Sequence, residues 1–208
     1  MSGTTEHPQL YVITPPASKL VAMRDVLAAS LDASEIACVR LNTGAETADD
    51  ISKAADLVRE LCHVRDIALV IDGHPGLVEP LGLDGVHLSG AAKTIREARK
   101  LLGSEAVVGA HAGLSKHDGL TAGEIGVDYV AFGPIGDTGL GDIDFVDSDL
   151  FAWWSLMVEL PVIAEGGITL KDAALLAPQI DFLALGAELW RSDDPAQTLK
   201  DYAERLAI

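Results

Sequence analysis

The polar chemistry of this chain gathers at the ends of its apolar runs, at Thr14, Arg40, Asn42, Asp72, His74, His87, His111, Gly133, Glu165 and Gly186. Arg40 is the cation of that set, in a protein whose formal net charge is −17, and a guanidinium can grip an oxyanion through paired hydrogen bonds. A plain ion pair with Asp72 is the simpler role for it. Asp72, His74, His87, His111 and Glu165 form no compact motif such as His-Glu-x-x-His. Imidazole with carboxylate suits a divalent ion if folding assembles them; otherwise each histidine is a satisfied core or rim residue. Bare backbone is the second resource. The apolar run 161–165 stops at Gly166 and Gly167, with Thr169 placed as a helix N-cap, and the run from Asp181 ends at Gly186. Free N–H groups at such strand ends can hold a phosphate. The alternative is that these glycines only permit tight turns.

The elements that must position these residues alternate. Short apolar runs at 10–13, 36–41, 67–71, 85–88, 106–110, 129–132, 161–165 and 181–186 read as strands. Helical patterns follow them. One opens at Pro16 or Ser18 and runs to Leu31 with Leu20, Met23, Val26 and Leu27 on one face. Another spans 48–62 with Ile51, Ala55, Leu57 and Val58 inward. Further helices end at Leu102 or span 115–125, 147–158, 170–177 and 195–206, and the one after Asp72 is weakly formed. Alternating units force a parallel sheet, and eight of them close into a (β/α)8 TIM barrel, an α/β fold. An open doubly wound sheet would call for Gly-x-Gly-x-x-Gly after the first strand, where Thr14-Pro15-Pro16 stands.

With 208 residues, 49% of them hydrophobic, the chain can bury roughly 70% of its unfolded surface. One domain over 1–208 is expected, with 1–8 as a loose tail. The acidic balance argues against nucleic acid or anionic membrane as partner; an anionic substrate would need locally positive potential. No segment approaches twenty uninterrupted apolar residues, and Met1–Pro8 lacks an apolar signal region. The cytoplasm is the expected location. Cys38 and Cys62 lack metal-ligand spacing and read as buried thiols. Trp153 and Trp154 are adjacent on one helix and cannot both face one core. One should meet solvent, a loop or a second subunit, and a homodimer would supply the last.

The sequence resembles the thiamine phosphate synthase family and its relatives, the thiazole tautomerases. The resemblance rests on Tyr11-x-Ile13-Thr14, Asp84-Gly85-Val86-His87-Leu88, the run from Gly126 through Asp128-Tyr129-Val130 to Phe132-Gly133-Pro134-Ile135, and Pro161-Val162-Ile163-Ala164-x-Gly166-Gly167-Ile168, all in order. It implies a TIM barrel that joins hydroxymethylpyrimidine diphosphate to a thiazole phosphate and releases pyrophosphate, usually with Mg²⁺. Small phosphorylated heterocycles are the implied partners. By position, Arg40 falls on the family's pyrophosphate arginine and Asp72 on its first Mg²⁺ carboxylate. Thr138 falls on the first threonine of the loop after strand six, and Gly166, Gly167, Leu185 and Gly186 fall on the cradle of the thiazole phosphate.

The departures cluster on the pyrophosphate side. Asn42 stands where the family has lysine, Ile71 where it has asparagine, Ala92 at the second Mg²⁺ carboxylate and His111 at a serine. Leu140 and Gly141 replace a threonine and a lysine, and Glu165 replaces an apolar residue. Glu165 would repel phosphate unless Arg40 or a metal balanced it, or it could act as an acid or base with raised pKa. The tautomerases also lack those lysines, but their catalytic histidine is Pro134 here. Synthase chemistry is expected from Arg40, Asp72, His111 and Glu165. The alternatives are proton transfer on a phosphorylated heterocycle with Glu165 and His111 as acid and base, or an inert barrel that binds a phosphorylated metabolite or a partner protein.

Overall fold

The computed structural model describes residues 7–44, 46–139, 141 and 144–206. Its eight strands are β1 (Gln9–Ile13), β2 (Ile36–Leu41), β3 (Ala68–Asp72), β4 (Gly85–Ser89), β5 (Val107–His111), β6 (Tyr129–Phe132), β7 (Val162–Glu165) and β8 (Phe182–Leu185). They pair in parallel in chain order, and β8 returns to β1 through Leu10↔Leu183, closing the barrel. The (β/α)8 expectation holds. Residues 1–6 of the anticipated tail, and Leu140, lie outside the described residues.

Alternating side chains build two cores. Outward-facing strand residues pack with the helices: Val12, Val39, Leu69, Val130 and Leu183 join Leu27, Val58, Phe151 and Trp154. Each fully buried aliphatic side chain there contributes about 1.5–3 kcal/mol. Inward-facing residues fill the barrel: Tyr11, Cys38, Val70, Tyr129, Ala131, Ile163 and Ala184. Large and small must complement each other in so narrow a space. A Cβ on Gly109 would sit 2.0 Å from the Tyr129 ring, so this strand position admits only glycine. At the floor of the barrel, the carboxylates of Asp84, Asp128 and Asp181 accept from the backbone N–H groups of Leu69, Val108 and Val162 at 2.7, 2.7 and 2.8 Å. Each clamps a strand to its neighbour.

The helices are α1 (Ala17–Leu20), α2 (Arg24–Leu31), α3 (Ala48–His63), α4 (Val78–Leu81), α5 (Ala92–Leu102), α6 (Lys116–Ile125), α7 (Ser148–Met157), α8 (Leu170–Leu176), α9 (Ala187–Trp190) and α10 (Pro195–Leu206). Thr169 caps α8 as read from sequence, in a reciprocal capping box with Asp172. The first predicted helix is instead two. The chain breaks between Leu20 and Arg24, the helical phase resets, and Leu20 and Leu27 are buried while Val26 is 42% exposed. The tryptophans divide as expected. Trp154 is buried and donates to the carbonyl of Leu160 at 2.9 Å. Trp153 is half-buried, packed edge-on to Trp154, and capped by Lys116 Nζ 4.9 Å from its ring centroid. Both cysteines are buried free thiols, and burial pushes each thiol up to about 12. Among the described residues no helix is long and apolar enough to cross a membrane.

Candidate active site

Three strands run one residue further than the apolar pattern indicates, so Asp72, Ser89 and His111 are strand termini rather than loop residues. His87 is also relocated. It sits in the middle of β4 and is 3% exposed inside the barrel, because the inward alternation continues through it. Rigid strands rather than loops thus hold the polar cluster, which fixes its geometry.

Arg40, near the end of β2, is the centre of that cluster. Its Nη1 donates to Glu165 Oε2 at 2.9 Å, and its Nε lies 3.4 Å from Asp72 Oδ1. The ion pair with Asp72 exists, but Glu165 is the closer partner. Burial works against the Arg40 charge, and Glu165 and then Asp72 more than restore it. Burial alone would raise the Glu165 carboxyl. Arg40 overcomes this, with help from His111, and holds the carboxyl well below the usual range. That is the reverse of the raised acid or base considered from the sequence, and the guanidinium is the physical reason. Asp72 differs: burial pushes its carboxyl up and Arg40 offsets only part of the rise.

The cluster continues through histidine. His111 Nδ1 lies 2.9 Å from Glu165 Oε1, within ion-pair distance, yet the approach lacks hydrogen-bond geometry and leaves that nitrogen buried without a partner. His87 Nδ1 meets Tyr129 OH at 3.0 Å, and Tyr129 OH meets Tyr11 OH at 3.0 Å. Burial, reinforced by Arg40, holds the His87 imidazole well below its usual pKa, so the ring is neutral. His74, by contrast, is exposed at the rim.

A cleft of about 510 Å³ opens beside this cluster. Arg40 and Glu165 form its floor, and Thr138, Gly166, Gly167 and Gly186 line it together with Asn42. Gly166 and Gly167 adopt φ of +86° and +67°. A Cβ on Gly167 would meet the carbonyl oxygen of Gly136 at 2.4 Å, because the loop after β6 lies on this turn and donates Ile135 N–H to the carbonyl of Gly166 at 2.8 Å. Among the described residues neither Gly166 N–H nor Gly167 N–H has a backbone acceptor. Thr138 places in the same wall a buried hydroxyl that has no partner among the described residues. Leu185 is fully buried in the outer core, so only its main chain can serve the cleft. Gly141 is exposed in a shallow depression with Asp137 and Gly139. Ala92 lies apart, in a second cavity of about 270 Å³ that His111 also lines.

The sequence reading missed Lys19, Glu188 and Arg191, all of which line the 510 Å³ cleft. A signal existed. They lie in the first and eighth βα units, which ring closure makes neighbours, and Trp190 Nε1 bonds the carbonyl of Ile13 across that seam. Arg191 donates to the carbonyl of Thr138 at 2.8 Å and so anchors the loop after β6. Burial raises the Glu188 carboxyl, while the backbone N–H groups of its own residue and of Gly186 pull the other way. Its Oε1 is buried in the cleft wall without a hydrogen-bond partner among the described residues. As a whole, the site offers cations and unadorned amides facing one space, suited to an anion with more than one phosphoryl group.

Comparison with known proteins identifies the family. The thiamine monophosphate synthase family matches residues 10–189. A thiamine-phosphate synthase from Rhodospirillum centenum is 39% identical over 197 residues, covering 93% of this chain and 95% of that one. Another from Erythrobacter litoralis is 35% identical over 162 residues, 76% of each chain. The solved structure of thiamine phosphate pyrophosphorylase from Pyrococcus furiosus superposes with a TM-score of 0.80 at 20% identity, covering 95% of both chains, which speaks to the fold. With the match running from the first strand to the helix after the eighth, the chain belongs to the thiamine monophosphate synthase family.

Proposed function

We propose that this protein is a thiamine-phosphate synthase, joining hydroxymethylpyrimidine diphosphate to thiazole phosphate with release of pyrophosphate. One observation carries the reading: a buried guanidinium and a two-glycine turn with open N–H groups wall the same 510 Å³ cleft. As the C–O bond to the diphosphate breaks, the pyrimidine methylene becomes cationic and the thiazole nitrogen closes on it. Arg40 would take up the charge that grows on the leaving pyrophosphate, and Glu165 would hold the guanidinium in place so that little reorganisation is needed. Gly166, Gly167 and Gly186 would seat the thiazole phosphate and orient its ring nitrogen. The Thr138 hydroxyl, without a partner among the described residues, would donate to either substrate.

For Mg²⁺ this chain offers one family carboxylate, Asp72, whose side chain is 30% exposed, while Ala92 supplies no oxygen. Such a donor set fits an ion that arrives on a diphosphate and takes one protein carboxylate. Its contribution would be neutralisation of phosphate charge. The reaction belongs to the cytoplasm, where phosphorylated intermediates are retained. We also assign a homodimer, because Leu156 and Met157 stand 83% and 68% exposed at the end of α7; light scattering that shows monomer at every concentration refutes it.

Product formation from both substrates with wild-type protein is the test. Arg40→Ala and Asp72→Asn should each reduce turnover, and no product at high enzyme concentration would reject the proposal. The 2.9 Å approach of His111 to Glu165 favours a second reading, proton transfer on a phosphorylated heterocycle. It requires solvent deuterium to enter thiazole phosphate carboxylate, and NMR spectra without exchange dispose of it.

A further inference from the structure

We propose that His87, His111 and Glu165 form a binding site for a divalent transition-metal ion, Zn²⁺ by preference, at the floor of the barrel mouth. One ligand atom from each of the three lies within 4.8 Å of the others. They project from β4, β5 and β7, rigid elements that can hold a constellation to the tolerance a metal demands. Two imidazoles and one carboxylate are the donor set of many zinc sites, and they leave a fourth position open for water or a substrate oxygen. Mg²⁺ and Ca²⁺ prefer oxygen and are disfavoured by the same set.

The surroundings of each ligand match what such a site requires. The His87 Nδ1 contact with Tyr129 OH at 3.0 Å, and stacking of the two rings at 5.7 Å, fix the imidazole and leave Nε2 as its free nitrogen. Tyr11 backs Tyr129 through a further hydroxyl contact at 3.0 Å. Arg40 occupies Glu165 Oε2, which orients the carboxylate and leaves Oε1 turned toward His111. The His111 Nδ1 atom is buried there with no hydrogen-bond partner among the described residues, a cost that a metal ion would remove. Charge also balances. Arg40 against Asp72 and Glu165 leaves one negative charge, and a divalent ion turns it into one positive charge, the sign needed to attract a diphosphate. Position adds a consequence: Glu165 lines the 510 Å³ cleft and His111 lines the 270 Å³ cavity, so the ion would sit between the two. The binding claim stands independently of the synthase reading, since it concerns only these side chains.

Titration of chelator-treated protein with Co²⁺, followed by visible absorption, tests it directly. Expected are one equivalent bound, ligand-field bands of a four- or five-coordinate site, and bleaching of those bands by added Zn²⁺ but not by millimolar Mg²⁺. His111→Ala, at a side chain 28% exposed, should weaken Zn²⁺ binding by at least about a hundred-fold, and Tyr129→Phe by about ten-fold, with circular dichroism checking the fold. Should a variant unfold, NMR of the wild type still decides, because Zn²⁺ must shift the ring signals of both His87 and His111. No saturable binding, binding unaltered by His111→Ala in a folded protein, or ring signals that do not move would each overturn the proposal.

Discussion

Removing Arg40 should destabilise the fold, and removing Glu165 as well should restore most of the loss. The pair is 2.9 Å apart with side chains 9% and 13% exposed. At an effective dielectric of about 20 the gross attraction is roughly 6 kcal/mol, most of it offset by desolvation of both groups. Arg40→Ala strips the cation and leaves the Glu165 carboxylate buried without its counter-charge, at a cost of about 3–5 kcal/mol. Asp72 adds less, because its contact is longer and its side chain is 30% exposed. In the double variant Arg40→Ala with Glu165→Ala only the part-exposed Asp72 carboxylate loses its counter-charge, so at least half of the lost stability should return. Urea denaturation monitored by Trp fluorescence measures both. Turnover should not return: the double variant still lacks the cation that faces the leaving pyrophosphate and should stay about 10²–10³-fold below wild type. Acidification separates the states further. With Arg40 present, Glu165 ionises more readily folded than unfolded, so its stabilisation is full above about pH 4.3 and drains away as pH falls. In Arg40→Ala burial dominates and raises the carboxyl, so this variant should lose less stability on acidification than wild type. A single-variant loss below about 1 kcal/mol, or a double variant no more stable than the single, refutes the reasoning.

Asn42→Lys, in the cleft wall at the position where the family has lysine, should raise turnover by about 10–100-fold, each such contact with developing charge being worth about 2–4 kcal/mol at best; unchanged kcat would show that the missing lysine does not limit the rate. Gly167→Ala meets both a φ of +67° and the carbonyl oxygen of Gly136 at 2.4 Å, so it should cost about 1–3 kcal/mol and raise the KM for thiazole phosphate, as thermal melts and initial rates would report. Glu188→Ala removes a carboxyl from the cleft wall and should lower that KM, a direction opposite to loss of an ordinary binding residue; a higher KM contradicts the charge argument. Asp128→Ala removes acceptors for Val108 N–H at 2.7 Å and Arg99 Nη2 at 2.6 Å on the far side of the barrel, so denaturation should show a loss of about 1–2 kcal/mol while kcat stays put.

That last contrast explains which parts of the molecule could be read without coordinates. Asp84, Asp128 and Asp181 precede β4, β6 and β8, and Gly133, Glu165 and Gly186 stand at or after the ends of β6, β7 and β8. Parallel strands send all their beginnings to one face and all their ends to the other. Polar residues flanking apolar runs therefore sort into floor clamps and mouth chemistry by position alone, so the cleft lined by Arg40, Thr138, Gly166 and Gly167 was legible. Contacts across the ring were not. Nothing local links Arg40 to Glu165, 125 residues on, and the direction of the Glu165 shift depends chiefly on that link. His87 was misplaced for a related reason: an apolar run with one imidazole in it looks like a strand end until the inward alternation is counted through to Ser89. Lys19 and Arg191 escaped because they belong to the first and last units, whose adjacency exists only after closure. The lost lysines and the gained Glu165 and His111 then form one pattern. Positive charge left the loops, and imidazole and carboxylate entered the rigid strand ends. Such an exchange weakens an anion site, and a divalent ion held by His87, His111 and Glu165 would add to the positive charge that Arg40, Lys19 and Arg191 already bring to it.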